Sequence, residues 1–245
     1  MFTLSTLRNG GSVCFKLITL SSRLSYMRYV KYFIHLLMLL LAFNKTRAQV
    51  PVVKEPRHKV VLENNYVRLI DVHLNPHDTT LYHIHATPSV IVFISRSKMG
   101  TQDMSGKGIP PGETSPGQTL FRDYAAEPVT HRVYNSGDHV FHVMDIELLK
   151  QEPSPDSCNS LQQNNGETTI NEKLVHGYKF DLNAHQSFNI PKSNCAYLVI
   201  CISGEANAVN DKIIMGAYKF FDPGVAVTLS NTQSKTSTFV LLQLK

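Results

Sequence analysis

Two histidines, His83 and His85, lie two residues apart in the alternating segment Thr79–Ala86. A β-strand repeats its side-chain direction every two residues, so both imidazoles project from one face with their Cα atoms about 7 Å apart. Two imidazoles at that spacing can converge on one metal ion with bonds of about 2.1 Å. A third ligand must come from another strand, and His131 in the run Val129–Asn135 is the candidate. The alternative is a chance pair, because ten histidines fall within residues 49–245.

The elements that must position these histidines are strands. From Val60 onward the chain consists of short alternating or apolar runs separated by turn residues, with no long stretch of helical periodicity. Runs spaced by about ten residues are typical of an all-β sandwich or barrel. The predicted strands lie within the segments 59–74 (with a turn at Asn64-Asn65), 79–86, 89–97, 119–124, 129–135 and 140–148. The Gly/Pro/Ser-rich segment Met99–Gly117 predicts a loop.

The same strand rhythm appears a second time after a polar segment. Residues 150–172 begin with a stretch rich in Pro, Ser, Asn and Gln, which predicts a linker. Beyond it, alternating or apolar runs resume and continue to residue 245. The predicted organisation is therefore a first lobe at 57–149, a linker at 150–172 and a second lobe at 173–245.

The histidine segments resemble the two motifs of the cupin superfamily. The first motif, Gly-x5-His-x-His-x3,4-Glu-x6-Gly, is matched by His83 and His85, and the second, Gly-x5-Pro-x-Gly-x2-His-x3-Asn, by His131 and Asn135. The chain departs from the pattern where Ser89 or Val90 replaces the Glu ligand. Ala126 and Pro128 also replace the Pro and Gly of the second motif, and both leading glycines are missing. The resemblance covers residues 57–148 by motif and 173–245 by rhythm alone.

This resemblance implies an all-β fold of two cupin-type (jelly-roll) β-barrel lobes, a bicupin, with a metal site in the first lobe only. The second lobe lacks the His-x-His pair and is expected to be degenerate. Without the Glu ligand, three neutral imidazoles leave up to three open positions on a divalent ion that keeps its full charge. Such a set resembles the sites of three-histidine cupins such as thiol dioxygenases, where substrate and O₂ both bind the iron. The donors suit iron, zinc, nickel or manganese alike.

Three further residues are candidates for the pocket around the metal. Ser89 stands where the family's Glu would project, and Asn135 matches the motif Asn. His142 alternates with Met144 and Ile146, and either faces the barrel interior as a donor behind the ligands or is a structural histidine. Asp123 and Tyr124 precede the His131 strand and are weaker pocket candidates. Surface or turn positions are expected for the histidines at 58, 73, 77, 139 and 176.

The first 48 residues have the features of a secretory leader. They hold seven Lys and Arg and no acidic residue, and the run Tyr32–Phe43 is apolar. That run is about a dozen residues long, whereas a membrane span needs about 20. The small residues at Thr46 and Ala48 predict cleavage before Gln49, and Met27 is a second candidate start of the chain. We therefore expect a secreted or periplasmic protein with no stable membrane insertion after processing; a membrane anchor is the alternative.

The charge of the chain argues against a nucleic-acid partner. The net charge is +5, but removing the seven leader cations from the 24 Lys and Arg leaves 17 against 19 acidic residues, or −2, in residues 49–245. A nucleic-acid-binding surface needs basic residues clustered on the folded part.

Among the cysteines after the leader, Cys195 and Cys201 lie about 20 Å apart along an extended run and cannot pair with each other. Cys158 can pair with either one in an oxidising compartment.

These observations leave two classes of function open. The first is an enzyme, a mononuclear metal-dependent oxidoreductase of the dioxygenase kind or an isomerase, acting on a small organic molecule. The second is a non-catalytic cupin that binds a small molecule or saccharide or supports an assembly. A metal-free surface adhesin is a third reading. In each of the first two classes the expected partner is a small molecule, and the sequence is compatible with a homodimer.

Overall fold

The computed structural model describes residues 30–34, 49–150, 158, 161, 166–209 and 211–245, and these are almost entirely β-structure. Ala48–Lys245 form one compact unit. Residues 30–34 are helical, and the rest of the predicted leader lies outside the described residues. No helix in the described ranges is long and apolar enough to cross a membrane. The all-β expectation is confirmed.

The first lobe contains two five-stranded sheets, with strand orders β1-β4-β9-β6-β7 and β2-β3-β10-β5-β8. We call them the site sheet and the inner sheet. The strands are β1 (Val50–Pro51), β2 (His58–Glu63), β3 (Val67–Leu74), β4 (His83–His85), β5 (Ser89–Phe93), β6 (Lys98–Asp103), β7 (Gly112–Glu113), β8 (Thr119–Arg122), β9 (Val129–Asn135) and β10 (Phe141–Leu148).

The second lobe repeats this arrangement with a five-stranded sheet, β11-β12-β19-β14-β17, and a four-stranded sheet, β13-β18-β15-β16. Its strands are β11 (Gly166–Asn171), β12 (Val175–Leu182), β13 (Ser187–Ile190), β14 (Ala196–Ser203), β15 (Glu205–Ala208), β16 (Asp211–Ile214), β17 (Tyr218–Phe221), β18 (Val227–Ser230) and β19 (Ser237–Leu244). In both lobes two sheets enclose a core. Among the described strands no ladder closes a pair of sheets into a barrel.

The lobes pack through the five-stranded sheets that contain β10 and β14. Strand β10 is buried on both faces: its even residues, such as Met144, join a cluster with Leu198 and Val240 of the second lobe, whereas Val143 joins the core of the first lobe. Alternation across a strand separates the two sets. Because both faces of β14 are covered, its sequence is an almost continuous apolar run, whereas β10 combines apolar residues with the polar His142, Asp145 and Glu147.

A repeated side-chain clamp shows that the lobes are two copies of one architecture. The side-chain amide of Asn135 donates to the backbone carbonyls of Leu74, Asn75 and His139, and its oxygen accepts from the backbone N–H two residues later. In the second lobe Asn231 donates to the carbonyls of residues 182, 183 and 235 and accepts from the N–H of residue 233. Each clamp connects the end of one strand, β9 or β18, to the turn that follows a different strand, β3 or β12.

The structure corrects three expectations about the elements. The segment Met99–Gly117 is not all loop, because β6 pairs with β9 and with the short β7. Strand β11 lies inside the predicted linker, and β1 lies before the predicted start of the first lobe. Strand β1 has only two residues, and β6 and β11 are rich in polar residues, so none of them shows the hydrophobic periodicity that marks a half-buried strand.

The cysteine pairing is resolved in favour of Cys158 and Cys195, which form a disulfide with their Cα atoms 5.8 Å apart. Cys201 is free and buried. The bridge attaches the segment between the lobes to the start of β14. Cys201 instead lies in the core of the second lobe, where burial raises the pKa of its thiol to about 12.

Candidate metal centre

Strands β4 and β9 bring the three predicted ligands together. His83 is the direct antiparallel partner of His131, and His85 follows two residues later on the same face of β4. The ring centroids are 4.9 Å apart for His83 and His85, 4.9 Å for His83 and His131, and 5.0 Å for His85 and His131. One nitrogen of each ring lies within 4.8 Å of the corresponding nitrogens of the other two. The three rings form a nearly equilateral triangle, as ligands of one ion would.

The contacts of these histidines leave one nitrogen of each ring free to bind a metal. The Nδ1 of His83 contacts the carbonyl of Leu81 at 2.9 Å, which leaves its Nε2 available. The Nδ1 of His85 faces a carboxylate and likewise leaves its Nε2. The Nε2 of His131 is buried with no hydrogen-bond partner among the described residues. A buried polar atom left unpaired costs free energy, and a divalent cation shared by the three rings would satisfy it. The residues present therefore fit a metal ion.

Burial keeps two of these imidazoles neutral. Desolvation, with smaller effects from the neighbouring histidines, lowers the pKa of His83 to about 2. Desolvation and the nearby His85 lower the pKa of His131 to about 3. A metal binds the neutral imidazole in competition with a proton. Because protonation of both rings is suppressed, the site is prepared for a cation at neutral and mildly acidic pH.

A buried carboxyl group, Asp145, stands directly behind His85. It is 3 % exposed, one oxygen lies 3.3 Å from the Nδ1 of His85, and neither oxygen has a full hydrogen bond within the described part of the chain. Asp145 comes from β10 of the inner sheet, opposite the sheet that holds the ligands. Carboxylates in this position orient ligand histidines by accepting the proton on the nitrogen away from the metal. The sequence reasoning missed Asp145, which has no metal-ligand spacing to the histidines.

Tyr124 and His58 complete the surroundings of the ligands. The ring of Tyr124 lies 4.8 Å from that of His85, and burial together with the charge of Asp145 raises its pKa to about 12. His58 packs edge-on against His83 at 4.6 Å, and its Nδ1 contacts the carbonyl of Val52. The expectation that His58 is a surface residue is wrong. Its position at the start of β2 gave no sign that the sheet would turn its ring inward.

A cavity of about 610 Å³ opens onto the three histidines. Its exposed lining residues, among them Arg122, Asp123 and Glu127, mark the mouth. Its wall is largely apolar and is formed by residues that include Val72, Ile91, Phe93, Leu120, Phe141 and Val143. Small-molecule sites are typically concave and apolar with a few converging polar groups. The cavity has the size and the chemical character to hold a small organic molecule against a metal ion.

The structure does not place Ser89, Asn135 or His142 in the cavity lining. The hydroxyl of Ser89 is buried and donates to the carbonyl of Thr87. Asn135 is used by its clamp, which lies at the end of β9. His142 projects from the opposite face of β10, where its Nε2 contacts Asp71 at 2.7 Å. Both faces of β10 are buried, so alternation alone did not tell which face contains the site.

The second lobe has apolar residues at the positions of two ligands. Val227 precedes the clamp residue Asn231 by four positions, as His131 precedes Asn135. Its cross-strand partner is Ile190, in the place of His83. Ile190 and Val227 are 1 % and 2 % exposed and belong to the core of the second lobe. An apolar core fills the space where the first lobe has its polar centre, so the described residues of this lobe offer no equivalent site.

Comparison with known proteins identifies the fold. No family profile and no curated protein sequence matches the chain. Among solved structures, AerE from Microcystis aeruginosa is similar with a TM-score of 0.54 and 13% identity, over 78% of this chain and 98% of that one. The pirin YhhW of Escherichia coli, in complex with nickel(II), is similar with a TM-score of 0.53 and 13% identity, over 76% of this chain and 90% of that one. A mutant of Bacillus subtilis oxalate decarboxylase is similar with a TM-score of 0.52 and 9% sequence identity, and the match covers 77% of this chain and 72% of that one. These are cupin-type proteins, and the chain shares their two-lobed fold.

Proposed function

We propose that this cupin-type protein is an exported, divalent-metal-dependent enzyme that acts on a small organic molecule in its first lobe, with dioxygenase-like or isomerase-like chemistry. The observation that supports a metal most directly is the convergence of three imidazoles, among which the buried Nε2 of His131 has no partner in the described part of the chain. The adjoining cavity supports a small-molecule ligand. Similar structures include a protein bound to nickel(II), which supports a divalent cation without identifying it.

In this proposal His83, His85 and His131 hold the ion. When bound, the ion would supply Lewis-acid chemistry toward a polar atom of the substrate or toward O₂. Three neutral ligands do not offset its charge, so an anionic substrate atom is favoured over a neutral one. The remaining functions belong to side chains around the ligands.

Asp145 would keep the ring of His85 in one orientation by accepting its Nδ1 proton. Tyr124 lines the cavity and, with its pKa raised above the ordinary value, stays protonated at neutral pH, so its hydroxyl can serve as a hydrogen-bond donor to a bound molecule. The apolar wall excludes water from the bound molecule, which strengthens these polar interactions. Together these groups can bind and orient a substrate beside the ion.

A second candidate is a binding or structural cupin without turnover. The observation that favours it is the second lobe, where the same architecture exists with an apolar core in the place of two ligands. Fold alone does not distinguish the two classes, because cupin-type folds host many functions. The two candidates differ in metal content and in turnover.

Export is supported by the disulfide between Cys158 and Cys195. Disulfides persist in oxidising compartments and are rare in the cytosol. In the proposal, the leader before Gln49 is removed during export. Sequencing the N-terminus of the protein recovered from the periplasm or the medium tests this directly, and an intact leader would contradict it.

The metal content of the exported protein tests the central proposal. We expect His131→Ala to contain one equivalent of metal less than the wild type, while His139→Ala, which removes an exposed imidazole, contains as much as the wild type. Equal metal in the wild type and His131→Ala would exclude His131 from the site. Stoichiometric iron with O₂ consumption on addition of a small thiol supports the enzyme. The absence of metal, or zinc without turnover, supports the binding protein.

A further inference from the structure

A second group of metal-ligating side chains lies on the other face of the inner sheet. His73 on β3 and His142 on β10 are direct cross-strand partners, and Asp71 lies two residues before His73 on the same face. The odd residues of β3 and the even residues of β10 point toward the second lobe, away from the cavity. These three side chains therefore take no part in the centre described above.

The geometry of the group is that of ligands around one point. The Nε2 of His142 lies 2.7 Å from one oxygen of Asp71, and the Nε2 of His73 lies 3.2 Å from the other. The two imidazoles are stacked with their centroids 3.9 Å apart and their planes 24° apart. One donor atom of each residue lies within 4.8 Å of the other two. Bonds of about 2.0–2.2 Å place neighbouring ligand atoms of one ion about 3 Å apart, close to the two contacts seen here.

We propose that Asp71, His73 and His142 form a second metal-binding site, for a divalent transition ion such as Zn²⁺. Two imidazoles and a carboxylate are donors that zinc and its neighbours accept readily. The ion would replace the proton that one imidazole shares with Asp71, and the carboxylate would turn slightly to make room. Unlike the three-histidine centre, this set carries a negative charge, which partly neutralises the ion.

The surroundings limit the site without closing it. The side chain of His73 is 52% exposed, that of Asp71 23% and that of His142 15%. A turn of the second lobe covers one side, because a Cβ at Gly216 would lie 3.0 Å from Cε1 of His142. Next to this turn the hydroxyl of Tyr218 donates to the carbonyl of Val61, at 2.6 Å. A bound ion would thus lie at the edge of the lobe contact, with solvent on its open side.

Zinc titration of the full-length exported protein, stripped of metal, tests the proposal. Equilibrium dialysis against Zn²⁺ should give two bound equivalents for the wild type. His73→Ala, a change of a half-exposed side chain, should lose one of them, and so should the nearly isosteric Asp71→Asn. His77→Asn is the matched control, since His77 is an exposed histidine 3.7 Å from Asp138 and belongs to neither three-residue group of the described chain. It should bind as many equivalents as the wild type.

Removal of the other centre separates the two proposals. His131→Ala should retain the equivalent that depends on His73, and the double variant His73→Ala/His131→Ala should bind none. If His73→Ala and Asp71→Asn bind as much zinc as the wild type, the group is only a hydrogen-bonded His–Asp–His network and the inference is overturned. If the three-histidine centre holds no metal, His131→Ala will match the wild type while His73→Ala still loses its equivalent.

Discussion

Replacing Asp145 by Asn should change metal affinity and the stability of the metal-free protein in opposite directions. The substitution keeps the shape of the side chain and removes the charge that faces the Nδ1 of His85 at 3.3 Å. Loss of a carboxylate that orients a ligand histidine weakens metal binding about 10- to 100-fold. That loss corresponds to about 1.4–2.7 kcal/mol of binding free energy.

In the metal-free protein the same change removes an unfavourable burial. Both oxygens of Asp145 are buried without a full hydrogen bond to any described residue. An unpaired buried polar group costs about 1–3 kcal/mol, and a charged one costs more than a neutral amide. We therefore expect the free energy of unfolding of metal-free Asp145→Asn to rise by about 1 kcal/mol relative to the metal-free wild type.

Two measurements on the same protein preparations check this prediction. Metal affinity is measured by competition with a chelator at pH 7.5, and stability by urea unfolding after removal of metal. Glu147→Gln is the control, because Glu147 is a buried carboxyl on the same strand that is paired with Arg68 at 2.5 Å. It should weaken metal binding less than Asp145→Asn does, because Glu147 is paired with Arg68 and acts on His85 only through its charge, and it should reduce stability. Unchanged affinity in Asp145→Asn would refute the orienting role, and a loss of metal-free stability would refute the argument from burial.

Three other changes have directions that follow from the structure. Acidification should destabilise the metal-free protein. In the unfolded chain histidines take up protons below about pH 6.5, whereas His83 and His131 stay neutral in the folded protein. The free energy of unfolding should therefore fall by about 2 kcal/mol for each of these two histidines between pH 7.5 and 5. This loss of stability should continue as the pH falls toward the pKa values of His83 and His131 in the folded protein, about 2 and about 3. The measurement is urea unfolding at several pH values, and a free energy of unfolding that stays constant from pH 7.5 to 5 would contradict the prediction. Cys158→Ser opens a loop with a sequence separation of 37 and should cost about 3–4 kcal/mol, seen as a lower thermal midpoint that reductant does not lower further. Asn135→Ala and Asn231→Ala should each cost about 2–4 kcal/mol by leaving buried carbonyls unpaired; thermal unfolding checks the loss, and Asn231→Ala should bind metal with wild-type affinity.

Much of the fold could be predicted because most of its strands have a local side-chain pattern. The runs that became β3, β5, β9, β10, β14 and β19 alternate or are continuously apolar, and side-chain direction in a strand depends only on parity. The strands that sequence reasoning missed, such as β6 and β11, have polar residues at edges or near the surface. Pairing of backbone groups holds them, and it leaves no pattern in the side chains.

The residues of the candidate site likewise fall into those that the sequence predicted and those that it did not. That His83 and His85 share a face is a local property of an extended chain. That His131 joins them depends on the pairing of β4 with β9, and the sequence indicated it through the motif that follows the loop. Asp145 and His58 carried no such signal, because they reach the ligands from a different sheet.

The sequence by itself determined the all-β class, the two-lobed rhythm, the shared face of the His-x-His pair and the absence of such a pair from the second half. These properties depend on residue type and on spacings of a few positions. Only the tertiary structure decided which face of β10 meets the cavity, which cysteine pairs with Cys158 and which acid stands behind His85. It also showed that His142 belongs to a separate group with Asp71 and His73. Each of these is settled by contacts between segments far apart in the chain, and parity along one strand cannot specify what the neighbouring sheet places opposite it.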